Sequence, residues 1–229
     1  KLNQEGVLYQ KPYVESSPAY KSSPNGIQLS PKLPDWLKDY FKALSDANLG
    51  VYPSPFCHQV SALEAAFEGQ DLFVATGTGS GKTECFMDPL VADLMDRWKE
   101  NPTNGVKAIF IYPLNALMED QKLRLQELLS DTDLHFAVYN GNLIEDMPAL
   151  SDDSQEAKLN RLRIKQEKSK FPSILATRKE MRTRKPDILL TNPTMLEYML
   201  LRNKDQVLFE NADLRWIVID ETHSYTGAG

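Results

Sequence analysis

DLFVATGTGSGKTE, at residues 71–84, is the stretch of sequence that decides the fold. Its first five residues predict a buried strand, and its last residues predict the start of a helix. Between them, three closely spaced glycines let the backbone turn tightly and point its N–H groups inward. The positive N-terminal end of the helix adds to the attraction for an anion. Strand, loop and helix together predict a P-loop, which binds the phosphates of a nucleotide.

The P-loop residues have separate predicted roles. Lys82 is expected to reach the β- and γ-phosphates of ATP, and Thr83 is expected to place its hydroxyl on Mg²⁺. Thr76 stands where the general pattern has its first glycine, so a glycine-rich turn that binds nothing is the alternative. The predicted nucleotide-binding residues of the loop are Thr76, Gly77, Thr78, Gly79, Ser80, Gly81, Lys82 and Thr83.

Short apolar strands alternate with amphipathic helices along the chain. Helices are expected at about 58–68, after the P-loop, and after the second and fourth predicted strands. The alternation predicts an α/β fold, in which a mainly parallel sheet is covered by helices on both faces. The predicted strands are 71–75, 107–112, 134–139, 187–191 and 215–220.

The tetrapeptide DETH, residues 220–223, follows the last of these strands. A carboxylate at the carboxyl end of a parallel strand lies where α/β sheets bind ligands. Asp220 is expected to hold the magnesium ion, and Glu221 to orient and deprotonate the attacking water. His223 is expected to be a neutral contact that senses the γ-phosphate or a second domain. A charged turn is the alternative for DETH alone, but the P-loop upstream favours catalysis by Lys82, Asp220 and Glu221.

Gln59 follows Phe56, Cys57 and His58 at the start of the helix predicted at about 58–68. Its side-chain amide can form paired hydrogen bonds with an adenine edge. An exposed glutamine at a helix start is the alternative. The two phosphate-site motifs favour the adenine contact.

Small polar residues follow two of the predicted strands, at positions where functional loops are common. Asn115 comes after the second predicted strand, and Thr191 and Asn192 come at the end of the fourth. Such side chains suit the phosphate oxygens of nucleic acid, which they contact without selecting a sequence. Helix capping is the alternative, because Asn192 before Pro193 is a good cap. The predicted nucleic-acid contacts are Pro113, Leu114, Asn115, Thr191, Asn192 and Pro193.

Composition excludes several classes of protein. The net charge of −6 argues against a uniformly basic nucleic-acid binder. No apolar run has the roughly 20 residues that a membrane span needs, and no signal peptide is visible. The two cysteines, Cys57 and Cys85, form no CxxC pair, so we expect neither a zinc site nor a redox motif. A cytoplasmic protein without a membrane partner is the simplest interpretation.

The predicted organisation is an extension followed by one domain. Residues 1–50 are expected to form the N-terminal extension, and residues 51–229 the nucleotide-binding domain. Within the extension, residues 1–34 are expected to be an extended or partly disordered lead-in, and a helix is expected at about 34–48.

A basic insertion interrupts the domain at about 142–186, where no strand is convincing. Residues 156–185 contain eleven Lys or Arg against three Glu. A helix is expected at roughly 155–170, and Leu159, Leu162 and Phe171 suggest that one side packs. A solvated helix and a DNA contact are equally consistent with this charge.

Taken together, the motifs resemble those of superfamily 2 helicases of the DEAD/DEAH-box type. The resemblance covers about residues 52–229 and implies the first RecA-like P-loop domain of such a helicase. The combination is similar to the YprA-like DNA helicases related to Lhr, and helicases of that general kind occur in some bacterial anti-phage systems. Thr222 stands where the box name has Ala, which leaves both carboxylates in place. The matching stretches are PFCHQ (Q motif), GTGSGKT (motif I), IYPLNALMEDQ (motif Ia), YNG at residues 139–141 (a glycine turn), ILLTNPTMLEYML (motif Ib) and DETH (motif II).

The resemblance implies an ATP-dependent helicase or translocase, with ATP and Mg²⁺ as cofactors and single-stranded or partially duplex DNA as a partner. A second RecA-like domain beyond residue 229 would supply the later motifs and an arginine finger. Defence or repair proteins are further expected partners. Two alternatives stay open: a P-loop ATPase that remodels protein complexes, and a non-catalytic module that binds a nucleotide or a partner.

Overall fold

The computed structural model describes residues 19–77, 79–100 and 105–225, so Thr78 and the predicted lead-in before residue 19 lie outside the described residues. Within them, the β-strands are β1 (Ala108–Ile111), β2 (Phe136–Tyr139), β3 (Ile188–Thr191) and β4 (Trp216–Ile219). The α-helices are α1 (Gly26–Leu29), α2 (Asp35–Asp46), α3 (Cys57–Phe67), α4 (Lys82–Glu100), α5 (Asn115–Leu128), α6 (Gln155–Lys170), α7 (Arg178–Arg184), α8 (Pro193–Leu201) and α9 (Asn203–Gln206). A 3-10 helix (Thr222–Tyr225) follows β4.

The strands form one parallel sheet in the order β2-β3-β1-β4. Ala108 of β1 pairs with Ile188 of β3 and with Trp216 of β4, and Phe136 of β2 also pairs with Ile188. Because these first residues are aligned, the carboxyl ends of the four strands lie along one edge of the sheet. We call this edge, with the loops that follow it, the carboxyl edge. It is the edge at which α/β sheets bind ligands.

Helices cover both faces of the sheet, as the alternation of strands and helices predicted. Successive residues of a strand point to opposite faces. Phe110 and Leu190 belong to a larger core that also contains residues of α2, α3, α4 and α5. Ile109 and Leu189 belong to a smaller core with residues of α7 and α8. The predicted fold class, an α/β domain with a parallel sheet, is therefore confirmed.

The described part of the N-terminal extension packs onto the domain. Ile27 of α1 and Leu33 are 5% and 3% exposed, and both join the larger core. Ser22 forms an antiparallel bridge with Phe56, and α2 lies within the predicted helix. Residues 19–34 of the predicted extended or partly disordered lead-in are therefore packed rather than disordered, and only α1 among them is helical. Isolated apolar side chains anchor this segment, and they form no periodic pattern that a sequence would reveal.

The strand predicted at 71–75 is not formed. Residues 71–77 have no regular secondary structure, and Phe73 is 86% exposed. At the end of the sheet, Ile217 of β4 is 61% exposed. A strand needs a neighbour for its ladder of hydrogen bonds, and no described strand pairs with residues 71–75 or with the outer side of β4. Apolar composition predicted a buried strand here, but composition does not identify the neighbour with which a strand pairs.

The insertion between β2 and β3 contains the predicted helix. α6 begins after Ser154, whose hydroxyl accepts a hydrogen bond from Ala157 N at 3.1 Å. Ala157 and Ile164 are buried, whereas Leu159 and Leu162 are 48% and 56% exposed. The predicted packing is therefore wrong for these two leucines, whereas Phe171, at the end of α6, is 4% exposed and joins the larger core. α6 contacts that core through Ile164 and presents the two leucines on another side.

Candidate active site

The P-loop has the backbone geometry of a tight turn. Gly79 and Gly81 have φ angles of 72° and 71°, in the left-handed region that favours glycine. The hydroxyl oxygens of Thr76 and Ser80 lie 2.6 Å apart and form a hydrogen bond across the loop. α4 then begins at Lys82, which places the lysine at the positive end of a helix of 19 residues.

Two residues of α3 support this loop from behind. Nε2 of His58 lies 2.8 Å from the carbonyl oxygen of Ser80, and Nε2 of Gln59 donates to the carbonyl of Gly81 at 3.1 Å. Oε1 of Gln59 accepts a hydrogen bond from Phe56 N at 2.7 Å, and the side chain is only 8% exposed. Both ends of the Gln59 amide are thus engaged within the protein. Its contact with adenine stays a prediction, and it requires the amide to exchange partners.

Tyr20 reaches the same loop from the N-terminal extension. Its ring centroid lies 5.5 Å from the ring centroids of Phe56 and His58. Its hydroxyl oxygen would lie 2.8 Å from a Cβ atom added at Gly77. Tyr20 could not be found from the sequence, because it lies in a segment without periodicity and far from the motifs it contacts.

The DETH residues continue directly from β4 onto the carboxyl edge. Asp220 N donates to the carbonyl of Ile111 at 3.1 Å, which fixes the residue to the end of β1. Oδ1 of Asp220 accepts a hydrogen bond from Glu221 N at 2.9 Å. Glu221 has a φ of 48°, a left-handed conformation that is uncommon outside glycine and clusters at functional sites. Nδ1 of His223 lies 3.3 Å from Oε2 of Glu221, so the imidazole can orient that carboxylate.

A cleft with a volume of about 770 Å³ lies between the P-loop segment and β4. The predicted site residues that line it are Thr76, Lys82, Asp220, Glu221 and His223. Lys82 therefore shares the cleft with Asp220 and Glu221, and Asp71, Asp93, Arg97 and Arg215 also line it. The lysine can bind phosphate oxygens, and a carboxylate beside it can accept a proton from water. Gly77, Gly79, Ser80, Gly81 and Thr83 adjoin this cleft along the chain but do not line it.

Thr83 and Asp220 are the predicted ligands of Mg²⁺. A hydroxyl and a carboxylate are oxygen ligands of the kind that Mg²⁺ prefers. Within the described ranges, no group of three or more His, Cys, Asp or Glu side chains could hold a metal ion by itself. Mg²⁺ usually keeps several waters and binds one or two carboxylates together with substrate phosphates. The two residues therefore fit a magnesium ion that arrives with a nucleotide.

The predicted nucleic-acid contacts meet on the carboxyl edge. Asn192 Nδ2 donates to Asn115 Oδ1 at 3.1 Å, which joins the start of α8 to the start of α5. Asn192 Oδ1 accepts a hydrogen bond from Met195 N at 2.8 Å, so the residue is also a helix cap. Thr191 is 0% exposed and its hydroxyl donates to the carbonyl of Tyr139 at 2.9 Å. Thr191 therefore supports Asn192 from the core, and a direct contact with nucleic acid would require its hydroxyl to leave Tyr139.

The chain belongs to the DEAD/DEAH box helicase family, whose sequence model matches residues 57–229. It is 28% identical to the Druantia protein DruE of Escherichia coli (strain UMEA 4076-1), across 100% of this chain and 17% of that protein. It is 30% identical to the uncharacterized ATP-dependent helicase YprA of Bacillus subtilis (strain 168), across 75% of this chain and 18% of that protein. The crystal structure of the DUF1998 helicase MrfA bound to DNA matches 91% of this chain and 23% of its own, with a TM-score of 0.58 and 26% identity.

The chain therefore spans 17–23% of the length of these relatives. The comparisons confirm the predicted family and the RecA-like character of the domain. Among the described residues, no helix is both long enough and apolar enough to span a bilayer.

Proposed function

We propose that this chain is the first ATP-binding motor domain of an ATP-dependent DNA helicase or translocase. The observation that carries the proposal is the cleft in which Lys82 of the P-loop faces Asp220 and Glu221 of the DETH sequence. The names of the relatives support it, since YprA is described as an ATP-dependent helicase. MrfA supports it as well, because its structures contain DNA alone or DNA with AMPPNP.

The residues of the cleft divide the chemistry among them. Lys82 and the backbone N–H groups of the P-loop bind the β- and γ-phosphates of ATP. Thr83 and Asp220 hold Mg²⁺, which neutralises charge on the phosphate oxygens when it is bound. Glu221 accepts a proton from the attacking water, as the water oxygen bonds to the γ-phosphorus and ADP leaves with the bridging oxygen. His223 orients Glu221.

The nucleic acid is proposed to lie along the carboxyl edge, across Asn115 and Asn192. These two amides are exposed or half-exposed and adjoin the N-termini of two helices, a combination that suits backbone phosphates. Such contacts ignore base sequence, as a translocating motor requires. Single-stranded or partially duplex DNA is the proposed substrate. A second motor domain beyond residue 229, a cytoplasmic location, and defence or repair proteins as partners remain parts of the proposal.

The test is to compare Glu221→Gln with wild type in the complete protein. The amide keeps the size of the side chain but cannot accept the proton, so turnover should fall by about 10²–10⁴-fold. Nucleotide and DNA affinities should change little, because Lys82, Thr83 and Asp220 are intact. Lys82→Ala should instead weaken nucleotide binding by about 1.5–3 kcal/mol, the contribution of a hydrogen bond to a charged group.

Glu210→Gln is the matched control, because Glu210 is exposed and lies outside the cleft. It should retain wild-type turnover and affinity. Normal ATP hydrolysis by Glu221→Gln would contradict the assignment of the catalytic carboxylate. ATP hydrolysis that does not respond to single-stranded DNA would favour a P-loop ATPase that remodels proteins.

A further inference from the structure

A buried carboxylate lies directly behind the phosphate-binding residues. Glu84 is in the first turn of α4, two residues after Lys82, and is 8% exposed. Its Oε1 accepts a hydrogen bond from Nη1 of Arg124, with which it forms an ion pair. Its Oε2 lies 3.4 Å from Nε2 of Gln59, which is the same amide nitrogen that donates to the carbonyl of Gly81. Glu84 therefore joins the P-loop, α3 and α5.

Arg124 compensates a concentration of negative charge on α4. Asp88 lies four residues after Glu84, so both carboxylates stand on one side of the helix, and Asp88 is 9% exposed. Burial raises the pKa of the Asp88 carboxyl well above its usual range, the charge of Glu84 raises it further, and Arg124 opposes both. Without the Arg124 guanidinium, Glu84 would be a buried anion beside a second acid. A buried anion without a partner is unfavourable, so the carboxylate would move and disturb the first turn of α4.

The opposite end of α5 lies on the carboxyl edge. α5 begins at Asn115, which accepts the hydrogen bond from Asn192, and Arg124 is nine residues further along the same helix. At a rise of about 1.5 Å per residue, the two side chains are about 13 Å apart along the helix axis. Met118 and Leu125 are 0% exposed, so the helix between them is anchored in the core. One packed helix, α5, thus extends from the carboxyl edge to the first turn of α4.

We propose that Arg124 is a positioning residue for the ATP reaction. Through its ion pair with Glu84, Arg124 makes the positions of Lys82 and Thr83 depend on whether nucleic acid is bound at Asn115. This inference rests on the proposed function. Nucleic acid that favours one position of α5 also favours one position of Arg124, and the ion pair passes that preference to the first turn of α4. The P-loop packs closely against this ion pair, since a Cβ atom added at Gly81 would lie 2.2 Å from Gln59 Nε2 and 2.9 Å from Glu84 Oε2. A small movement of Glu84 would therefore be felt at the loop.

A purely structural role for the ion pair makes a different prediction. The Arg124 side chain is 41% exposed but the Glu84 side chain is only 9% exposed, so removal of the arginine leaves a buried charge without its partner and lowers stability. If the pair only joined two helices, its loss would lower the melting temperature and leave the response of ATP turnover to DNA intact. The readout is therefore the ratio of turnover with DNA to turnover without DNA, measured beside the melting temperature.

The experiment uses the complete protein, a single-stranded oligonucleotide and ATP. Arg124→Gln and Glu84→Gln should each lower the stimulation ratio by about 5-fold or more, within the usual range of coupling between sites. The double variant should be no worse than either single variant, because the two residues act through each other. Arg124→Lys should restore part of the ratio, because it keeps the charge and loses only the fork of donors.

Lys32→Gln is the matched control, because Lys32 pairs with Glu68 outside the cleft and its side chain is 49% exposed. It should keep the wild-type ratio. A wild-type ratio in Arg124→Gln and Glu84→Gln, with ATP turnover that still responds to DNA, would overturn the inference and leave the proposed function standing. ATP turnover in the wild-type protein that ignores DNA would overturn both.

Discussion

Replacing Asn192 by aspartate should weaken DNA binding without weakening the fold, whereas replacing it by alanine should weaken both. The Oδ1 atom of Asn192 caps α8 by accepting a hydrogen bond from Met195 N at 2.8 Å. Its Nδ2 atom faces the carboxyl edge, where it donates to Asn115 Oδ1. Aspartate keeps the capping oxygen and adds a charge that the helix N-terminus favours. The same charge repels a backbone phosphate at that edge.

The magnitudes follow from these two contacts. Loss of an N-cap costs about 1 kcal/mol, so Asn192→Ala should lower the melting temperature by about 2–4 °C in a domain of this size. A hydrogen bond to a charged group contributes about 1.5–3 kcal/mol, so its loss should weaken DNA binding by about 10–150-fold. Asn192→Asp should lose at least as much DNA affinity as Asn192→Ala and keep the wild-type melting temperature.

Thermal unfolding and fluorescence anisotropy with a labelled single-stranded oligonucleotide measure the two effects separately. Asn203→Asp is the control, because it adds the same charge at an exposed residue of α9. All affinities should be compared at one salt concentration, since phosphate contacts depend strongly on salt. Unchanged DNA affinity in Asn192→Asp would refute the placement of nucleic acid on this edge. A loss of stability in Asn192→Asp equal to that in Asn192→Ala would refute the capping argument.

Two further predictions concern buried acids. Asp205 is 0% exposed and accepts hydrogen bonds from Arg182 at 2.9 Å and from Tyr139 at 2.8 Å, so Asp205→Ala should destabilise the fold by about 3 kcal/mol in chemical denaturation. Tyr139→Phe removes only one of these bonds and should cost about 1 kcal/mol. An equal cost for the two variants would contradict the argument. Burial, and then the charge of Glu84, raise the pKa of the Asp88 carboxyl. Between about pH 4 and this raised pKa, the folded state keeps a proton that the unfolded state has released. The free energy of unfolding should therefore fall as pH rises through that window. Asp88→Asn should remove that loss, so its melting temperature should exceed that of wild type by more at about pH 8 than at about pH 5, and a constant difference would contradict the assignment.

The sequence correctly predicted the strands that have an apolar pattern and also pair with another described strand. Phe110 and Leu190 lie in apolar runs bounded by turns, and the structure places both in paired, buried strands. Phe73 lies in an equally apolar run, yet it is 86% exposed, because no described strand pairs with its segment. Hydrophobicity indicates which segments gain from burial, but pairing depends on neighbours that are distant in sequence.

The site was predictable where its residues form a continuous motif and not where they meet through the fold. Lys82 and Asp220 belong to motifs with fixed spacing, and the structure brings both to one cleft. The partners of Gln59 could not be predicted, because a nucleotide and the backbone of the P-loop compete for the same side-chain amide. Arg124 carries no local signal, since its role depends on a contact with Glu84 that is 40 residues away in sequence.

Consecutive residues at the end of β1 connect the nucleotide cleft to the carboxyl edge by backbone hydrogen bonds. The carbonyl of Ile111 accepts a hydrogen bond from Asp220 N at 3.1 Å, and the next residue, Tyr112, donates its N–H to the carbonyl of Thr191 at 2.9 Å. Burial chiefly, and then the charge of Asp220, raise the pKa of the Tyr112 hydroxyl, so it stays protonated near the Asp220 carboxylate. Adjacent backbone groups thus hold Asp220, the proposed magnesium ligand, and Thr191, which supports Asn192. A displacement of either one must be accommodated by the other, because strands paired in a buried sheet have little freedom to move separately.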